Sequence, residues 1–304
     1  MASGGRLNRF EGSTLESFQF YLHHSAEHQC VLQFLMQCLP EAFKSVYDYF
    51  FIMILCWCSI GADKSNLAVL GVGSGGGELD VQMLSLMQST FSTLPITADV
   101  VEGSTEMLAK FKASVMKCDN LQKISFTWHI MPSEEYIQKI KGKGNVRKFD
   151  FIHMIQMLYY VDDLTETIKF YHSLLNKNGR LMIIIESADS GWSTLWTTFP
   201  NELCSEVVPV YRSSSDILAS LKSLGLKYEE RFIHNTCDIT ECFDPNSKTG
   251  QRLLSFLTFR ENFYQSFTPQ IRAEILDLLR SRCGTQKEGK VYFNCNLSCI
   301  FVHA

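Results

Sequence analysis

Residues 66–80, NLAVLGVGSGGGELD, hold the densest chemical signal in the chain. Leu67–Val72 is an apolar run of strand length. Five glycines fall within seven positions, from its end onward: Gly71, Gly73, Gly75, Gly76 and Gly77. Leu79, Val81, Met83, Leu84, Leu86 and Met87 then recur at helical spacing. The stretch predicts a strand, a glycine turn and a helix. Glycine allows positive φ and close backbone approach to a ligand, and the helix start aims free N–H groups over the turn. Glu102 ends the next apolar run, ITADVVE, where an acid can accept hydrogen bonds from ribose hydroxyls. A second acid, Glu27, stands in the first turn of a predicted helix. There its plainest role is to complement the helix dipole.

The glycine spacing fits two ligands. Gly71, Gly73 and Gly76 satisfy G-x-G-x-x-G, the dinucleotide turn. Gly73, Gly75 and Gly77 satisfy G-x-G-x-G, the turn of S-adenosylmethionine-dependent enzymes. Both use the acid at Glu102.

The elements that must position these residues alternate along the chain. Strands are expected at 67–72, 96–102, 123–130, 149–155 and 180–186, with helices at 105–116, 134–141 and 162–176 between them. Gly179 is expected to close the last of these in a left-handed cap. Such alternation predicts a parallel sheet covered on both faces. Before it, a helix opens at a Ser13–Glu16 capping box, and another spans 26–39 and stops before Pro40. Residues 47–60, YDYFFIMILCWCSI, are apolar but too short for a membrane span. After it, 191–214 reads as irregular, 215–224 as a helix capped by Gly225, and 228–239 and 291–302 as strands. Helices are expected near 251–260 and 269–282 between those strands.

The 304 residues, 46% hydrophobic and 20% charged, describe a globular chain. A net charge of −4 gives no electrostatic case for nucleic acid. Eleven cysteines without a C-x-x-C pair read as reduced core thiols, and the apolar-poor start is not a secretory signal. These point to a cytoplasmic protein with no metal site.

Several stretches together resemble the histamine N-methyltransferase family: HSAEHQC, GSGGGELD, VVEGSTEMLAKFK, FDFIHMIQMLYYVDD, SGWSTLW, LGLKYE and KEGKVYFN. They cover nearly the whole chain in order. The resemblance implies a class I methyltransferase fold: an α/β, doubly wound, mostly parallel sheet with an antiparallel last strand and a helical substrate-binding insertion. It implies one domain over 1–304, with a helical cap at 1–60, a cofactor core at 61–188 and substrate insertions plus closing strands at 189–304. The implied reaction moves a methyl group from S-adenosylmethionine to an imidazole nitrogen, by positioning alone and with no catalytic nucleophile.

The resemblance assigns the cofactor to Gly73, Glu102, Met107, Ser133 and Ile155. It assigns the amine substrate to Glu27, Gln156, Phe18, Tyr159, Tyr160, Trp192, Trp196, Phe199, Phe256 and Cys295, with Cys204 at a further pocket position. Trp192 and Trp196, four apart in a polar stretch, would form one face of a lid. Ser133 also reads as an N-cap. The chain departs from the family at Cys295, where an asparagine is expected, at Met107, where a glutamine is expected, and at Thr14, where a tyrosine is expected. These departures leave open a catalytically weak protein that binds cofactor or amine without turnover. The glycine overlap leaves open a nicotinamide oxidoreductase. A monomer acting on a small amine is expected.

Overall fold

A computed structural model describes residues 13–43, 65–142, 146–204 and 210–304. The apolar stretch 47–60 and the side chains of Ser13 and Thr14 lie outside what it describes. Two helices come first, α1 (Ser13–Ser25) and α2 (Glu27–Phe43). Strands and helices then alternate: β1 (Leu67–Val72), α3 (Glu78–Thr90), β2 (Ile96–Glu102), α4 (Thr105–Met116), β3 (Ser125–Ile130), α5 (Ser133–Lys141), β4 (Phe149–Ile155), α6 (Leu164–Ser173) and β5 (Leu175–Glu186). Three helices follow, α7 (Gly191–Thr198), α8 (Pro200–Leu203) and α9 (Ser214–Ser223). The chain ends with β6 (Tyr228–Ile233), β7 (Thr236–Asp238), α10 (Lys248–Thr258), α11 (Phe263–Ser266), α12 (Pro269–Ser281), β8 (Gly284–Lys287), β9 (Lys290–Asn294) and β10 (Leu297–His303).

Seven strands form one sheet in the order β3-β2-β1-β4-β5-β10-β6. The pairs β1/β2, β1/β4, β2/β3 and β4/β5 are parallel. β10 is inserted between β5 and β6, as the one antiparallel strand. Every residue of β1 is buried, as a central strand covered on both faces requires. Strand order reverses at β1, so the ends of β1, β2 and β4 open onto one crevice, where such sheets bind ligands. A smaller sheet has the order β7-β9-β8.

The chain divides into two compact units. The sheet unit comprises Val31–Ile184, Ile217–Arg231 and Cys299–Ala304. The other comprises the residues up to Cys30, Ile185–Asp216 and Phe232–Ser298. Its core is aromatic, built on Trp192, Trp196, Phe256, Phe263 and Phe293. Among the described residues no helix is long and apolar enough to cross a membrane.

The expected bounds of β1, β2, β4 and α4 match those observed. Others do not. α2 runs through Pro40 to Phe43, because the buried Leu35 and Leu39 hold the turn that proline disfavours. α6 ends at Ser173, and Gly179 lies inside β5 rather than in a helix cap. Asn178 takes the left-handed conformation instead (φ 67°), at a register shift opposite Phe149–Phe151. Residues 191–198 form a helix capped by the Ser190 hydroxyl, not an irregular stretch. The expected strands 228–239 and 291–302 each break in two, at His234–Asn235 and at Cys295–Asn296. Alternation shows which residues share a face, but not where a strand leaves one sheet for another.

Gly77 is the tightest position in the glycine turn. Its φ is 75°, and a Cβ there would stand 2.1 Å from the ring of Phe111. That ring is fully buried and packs edge-on against Trp128 at 5.3 Å. Gly77→Ala is expected to cost about 1–3 kcal/mol in overpacking and about 1–2 kcal/mol in left-handed backbone. Urea unfolding should show a lower midpoint; an unchanged midpoint would contradict the packing argument.

Candidate functional site

The glycine turn is held from two sides. Gly73 leaves β1 with φ 67° and donates its N–H to the Val101 carbonyl at 2.8 Å. A Cβ on Gly73 would stand 2.7 Å from Met157 Cβ, so only a bare backbone fits. Glu102, at the end of β2, spans the turn. Its Oε2 accepts from Gly75 N at 2.8 Å and its Oε1 from Ser104 N at 2.8 Å. Burial pushes the Glu102 carboxyl above the ordinary carboxylate range, while the N–H groups of Ser104 and Gly75 pull the other way. Met107 is in the first turn of α4, where its N–H caps onto Ser104 Oγ at 3.2 Å. Its Cε stands 3.5 Å from where a Gly75 Cβ would be. The side chain therefore flanks the turn.

Ser133 is the first residue of α5, whose N-cap is Pro132. The N-cap reading of Ser133 is therefore wrong; its hydroxyl pairs with the Tyr171 hydroxyl at 3.0 Å. Ile155 ends β4, next to Gln156, whose φ is 52°. A left-handed backbone at a residue with a Cβ costs roughly 1–2 kcal/mol, and such strain gathers at functional sites. Gln156 is anchored by its N–H to Ile184 O at 2.9 Å, and its Oε1 accepts from the Tyr159 hydroxyl at 2.8 Å. The Tyr159 and Tyr160 rings are 6.0 Å apart. Gly73, Glu102, Met107, Ser133, Ile155, Gln156, Tyr159 and Tyr160 all belong to the sheet unit.

Glu27, Phe18, Trp192, Trp196, Phe199, Phe256, Cys204 and Cys295 belong to the other unit. Ala26 takes φ 53°, which ends α1 and lets α2 begin at Glu27. Glu27 is buried, at 5% exposure. Tyr21 donates its hydroxyl proton to Glu27 Oε2 at 3.2 Å and accepts from Trp192 Nε1 at 3.3 Å. The Tyr21 ring stacks on Phe256 at 4.6 Å and meets Trp192 edge-on at 5.6 Å. Phe18 closes on Phe256 at 6.0 Å. Cys295 is fully buried beside the Tyr21 hydroxyl. Burial pushes both the Tyr21 hydroxyl and the Cys295 thiol well above their ordinary ranges, so both stay neutral near pH 7. A buried carboxylate inside an aromatic wall, with neutral hydroxyl and thiol beside it, suits an organic cation.

The two tryptophans do not form a lid. Both are buried on α7, at 5% and 2% exposure. Trp192 joins the Tyr21–Phe256 group, whereas Trp196 packs on Tyr211 and Phe259 and spends its indole N–H on Leu257 O at 3.1 Å. Phe199 is the C-cap of α7 in the same apolar core. Cys204 contributes its carbonyl to Arg260 at 2.9 Å. Neither flanking asparagine restores an amide at Cys295. Asn294 Nδ2 donates to Asp189 O at 3.1 Å, and Asn296 Oδ1 accepts from Asn235 N at 3.2 Å. Tyr21 was not among the expected site residues. Its spacing was the available signal, three residues after Phe18 on one helical face and six before Glu27.

Comparison with known proteins agrees with this geometry. A family model described as a methyltransferase domain matches residues 55–231. Histamine N-methyltransferase A of Xenopus laevis is 40% identical over 95% of this chain and 94% of its own length. The Bos taurus histamine N-methyltransferase is 40% identical over 95% of each chain. Carnosine N-methyltransferase 2 of Gallus gallus is 39% identical over 94% of this chain and 85% of its own. The solved structure of a Bacillus halodurans protein assigned as a methyltransferase shares the fold, with a TM-score of 0.51 and 13% identity over 80% of this chain and 95% of that one. The nicotinamide and binding-only readings are thereby set aside. The chain is an S-adenosylmethionine-dependent enzyme and belongs to the histamine N-methyltransferase family of class I methyltransferases.

Proposed function

We propose that this enzyme methylates a ring nitrogen of histamine. The observation that carries the reading is Glu27, a buried carboxylate bonded by Tyr21 and walled by Trp192 and Phe256. S-Adenosylmethionine, when bound, supplies an electrophilic methyl group on a sulfonium, which a neutral imidazole nitrogen takes with its own lone pair near pH 7. The protein's tasks are binding, orientation and exclusion of water. In this reading the turn at Gly73 carries the cofactor backbone, Glu102 accepts from its ribose hydroxyls, and Met107, Ser133 and Ile155 flank it. Glu27 holds the ethylammonium. Phe18, Trp192, Trp196, Phe199, Phe256 and Cys295 supply the apolar surround, and Gln156, Tyr159 and Tyr160 orient the ring. The protein acts as a monomer in the cytoplasm.

A second acceptor has a specific observation in its favour. The carnosine methyltransferase relative is as similar to this chain as the histamine enzymes are. Cys295 also stands where the family resemblance expects an asparagine. Both acceptors present an imidazole. Radiolabelled methyl transfer by the purified chain should favour histamine over carnosine in kcat/KM. The reverse order would make the dipeptide the acceptor, and no transfer to any imidazole amine would sink the proposal.

A further inference from the structure

The first glycine of the stretch, Gly71, has no left-handed φ to require it. What requires it is space. A Cβ at Gly71 would stand 2.5 Å from Ser74 Oγ, 2.8 Å from Asp80 Oδ1 and 2.9 Å from His153 Cε1. Three polar side chains from three elements therefore meet here. Ser74 comes from the glycine turn, Asp80 from the first turn of α3 and His153 from β4. His153 is the residue in register with Gly71 across the β1/β4 pair.

Two members of the cluster are sealed from water: Asp80 is 3% exposed and His153 2%. The Ser74 hydroxyl donates to Asp80 Oδ1 at 2.8 Å, and His153 Nε2 stands 3.2 Å from the same oxygen. That second approach is out of line for a full hydrogen bond. Two bare acceptors would repel at such a distance, so Nε2 carries the proton. Ser74 is also held by its backbone, whose carbonyl accepts from Gly77 N at 3.0 Å. Glu102 thus holds the turn at Gly75, and Asp80 holds it at Ser74. The cluster is not a nucleophile relay, because Ser74 gives its proton to the carboxylate rather than to an imidazole. Stability does not account for it either, since a buried carboxylate–imidazole pair adds little over apolar side chains of similar size.

We propose that Asp80 and His153 are positioning residues for the methyl donor. Through Ser74 they hold the glycine turn in the conformation that receives S-adenosylmethionine, and Gly71 is glycine to admit them. This rests on the reading above that the turn carries the cofactor. A turn already fixed has less freedom to lose on binding, so its release lowers cofactor affinity.

The test is calorimetric affinity of the full chain for S-adenosylhomocysteine. Ser74→Ala cuts the tie at the turn and leaves the buried pair intact. The double variant Asp80→Leu/His153→Leu removes the pair without stranding either partner. Each is expected to weaken binding about five- to ten-fold. Ser74→Thr, which keeps the hydroxyl, should stay within about two-fold of wild type. In imidazole NMR of histidine-labelled protein, the signal lost in His153→Gln should be that of a ring protonated at Nε2. Wild-type affinity in Ser74→Ala or in the double variant would overturn the proposal, and so would a bare Nε2. If the double variant does not fold, Ser74→Ala decides alone. Glu102→Gln separates the two levels. If it weakens binding and these variants do not, only this inference falls; if it too binds as wild type, the turn does not carry the cofactor and both fall.

Discussion

Replacing Glu27 by Gln is expected to raise the KM for histamine by about 30- to 150-fold, the loss of about 2–3 kcal/mol that a charged hydrogen bond in a buried site supplies. The substitution is close to isosteric, so Tyr21 keeps an oxygen to donate to and the packing of Trp192 and Phe256 persists. What is lost is the negative charge, and water cannot replace it at a residue this buried. Two controls separate recognition from structure. Calorimetric affinity for S-adenosylhomocysteine should stay within about two-fold of wild type, because the glycine turn and Glu102 do not involve Glu27. Methyl transfer to 4-methylimidazole, which has no ammonium, should be far less sensitive than transfer to histamine. Equal loss of amine and cofactor binding would make Glu27 a structural cap of α2 and nothing more. The two roles are compatible: a carboxylate at a helix start is stabilised by the dipole whether or not an ammonium faces it.

What could be read from residues alone divides along a physical line. β1, β2 and β4 are central strands, so each is an apolar-rich, largely buried run, and their ends, before Gly73, at Glu102 and before Gln156, can be read off the chain. The same holds for α4, which starts where Ser104 caps it. Hence the glycine turn and Glu102 were legible as a pair. The break at Asn235 and the α7 helix were not. α7 is short, carries two tryptophans and begins with glycine, all weak helix formers, and it is helical because Trp192, Leu195 and Trp196 are buried together. Tyr21 lies on α1 three residues after Phe18, where its ring reads as ordinary core. Only the fold shows that its hydroxyl turns toward Glu27 and its ring toward Phe256. Cys295 shows the reverse case. Its departure from the family was visible in the sequence, but the fate of the neighbouring asparagines was set by a break between strands.

Glu102→Gln is expected to weaken S-adenosylhomocysteine binding at least about 100-fold, more than removal of a single ligand contact would, because Glu102 holds both the turn and the ligand. Each carboxylate oxygen accepts from a backbone N–H, one from Gly75 and one from Ser104, both at 2.8 Å. A glutamine offers one oxygen and one NH₂, so one of those backbone donors must face another donor. The turn then loses a tie and the ribose hydroxyls lose a charged acceptor. Two measurements distinguish these losses. In the wild type, S-adenosylhomocysteine should outbind its 2′-deoxy analogue, and Glu102→Gln should level the difference; a preference that survives the substitution would remove Glu102 from the ribose. The second is pH. Burial raises the Glu102 carboxyl, so it protonates at a higher pH than an ordinary carboxylate as acid is added. Bound ribose hydroxyls favour the ionised form, so affinity should fall on mild acidification in the wild type and stay flat in Glu102→Gln. A wild-type affinity independent of pH across the carboxylate range would mean that the acid secures the turn without touching the ligand.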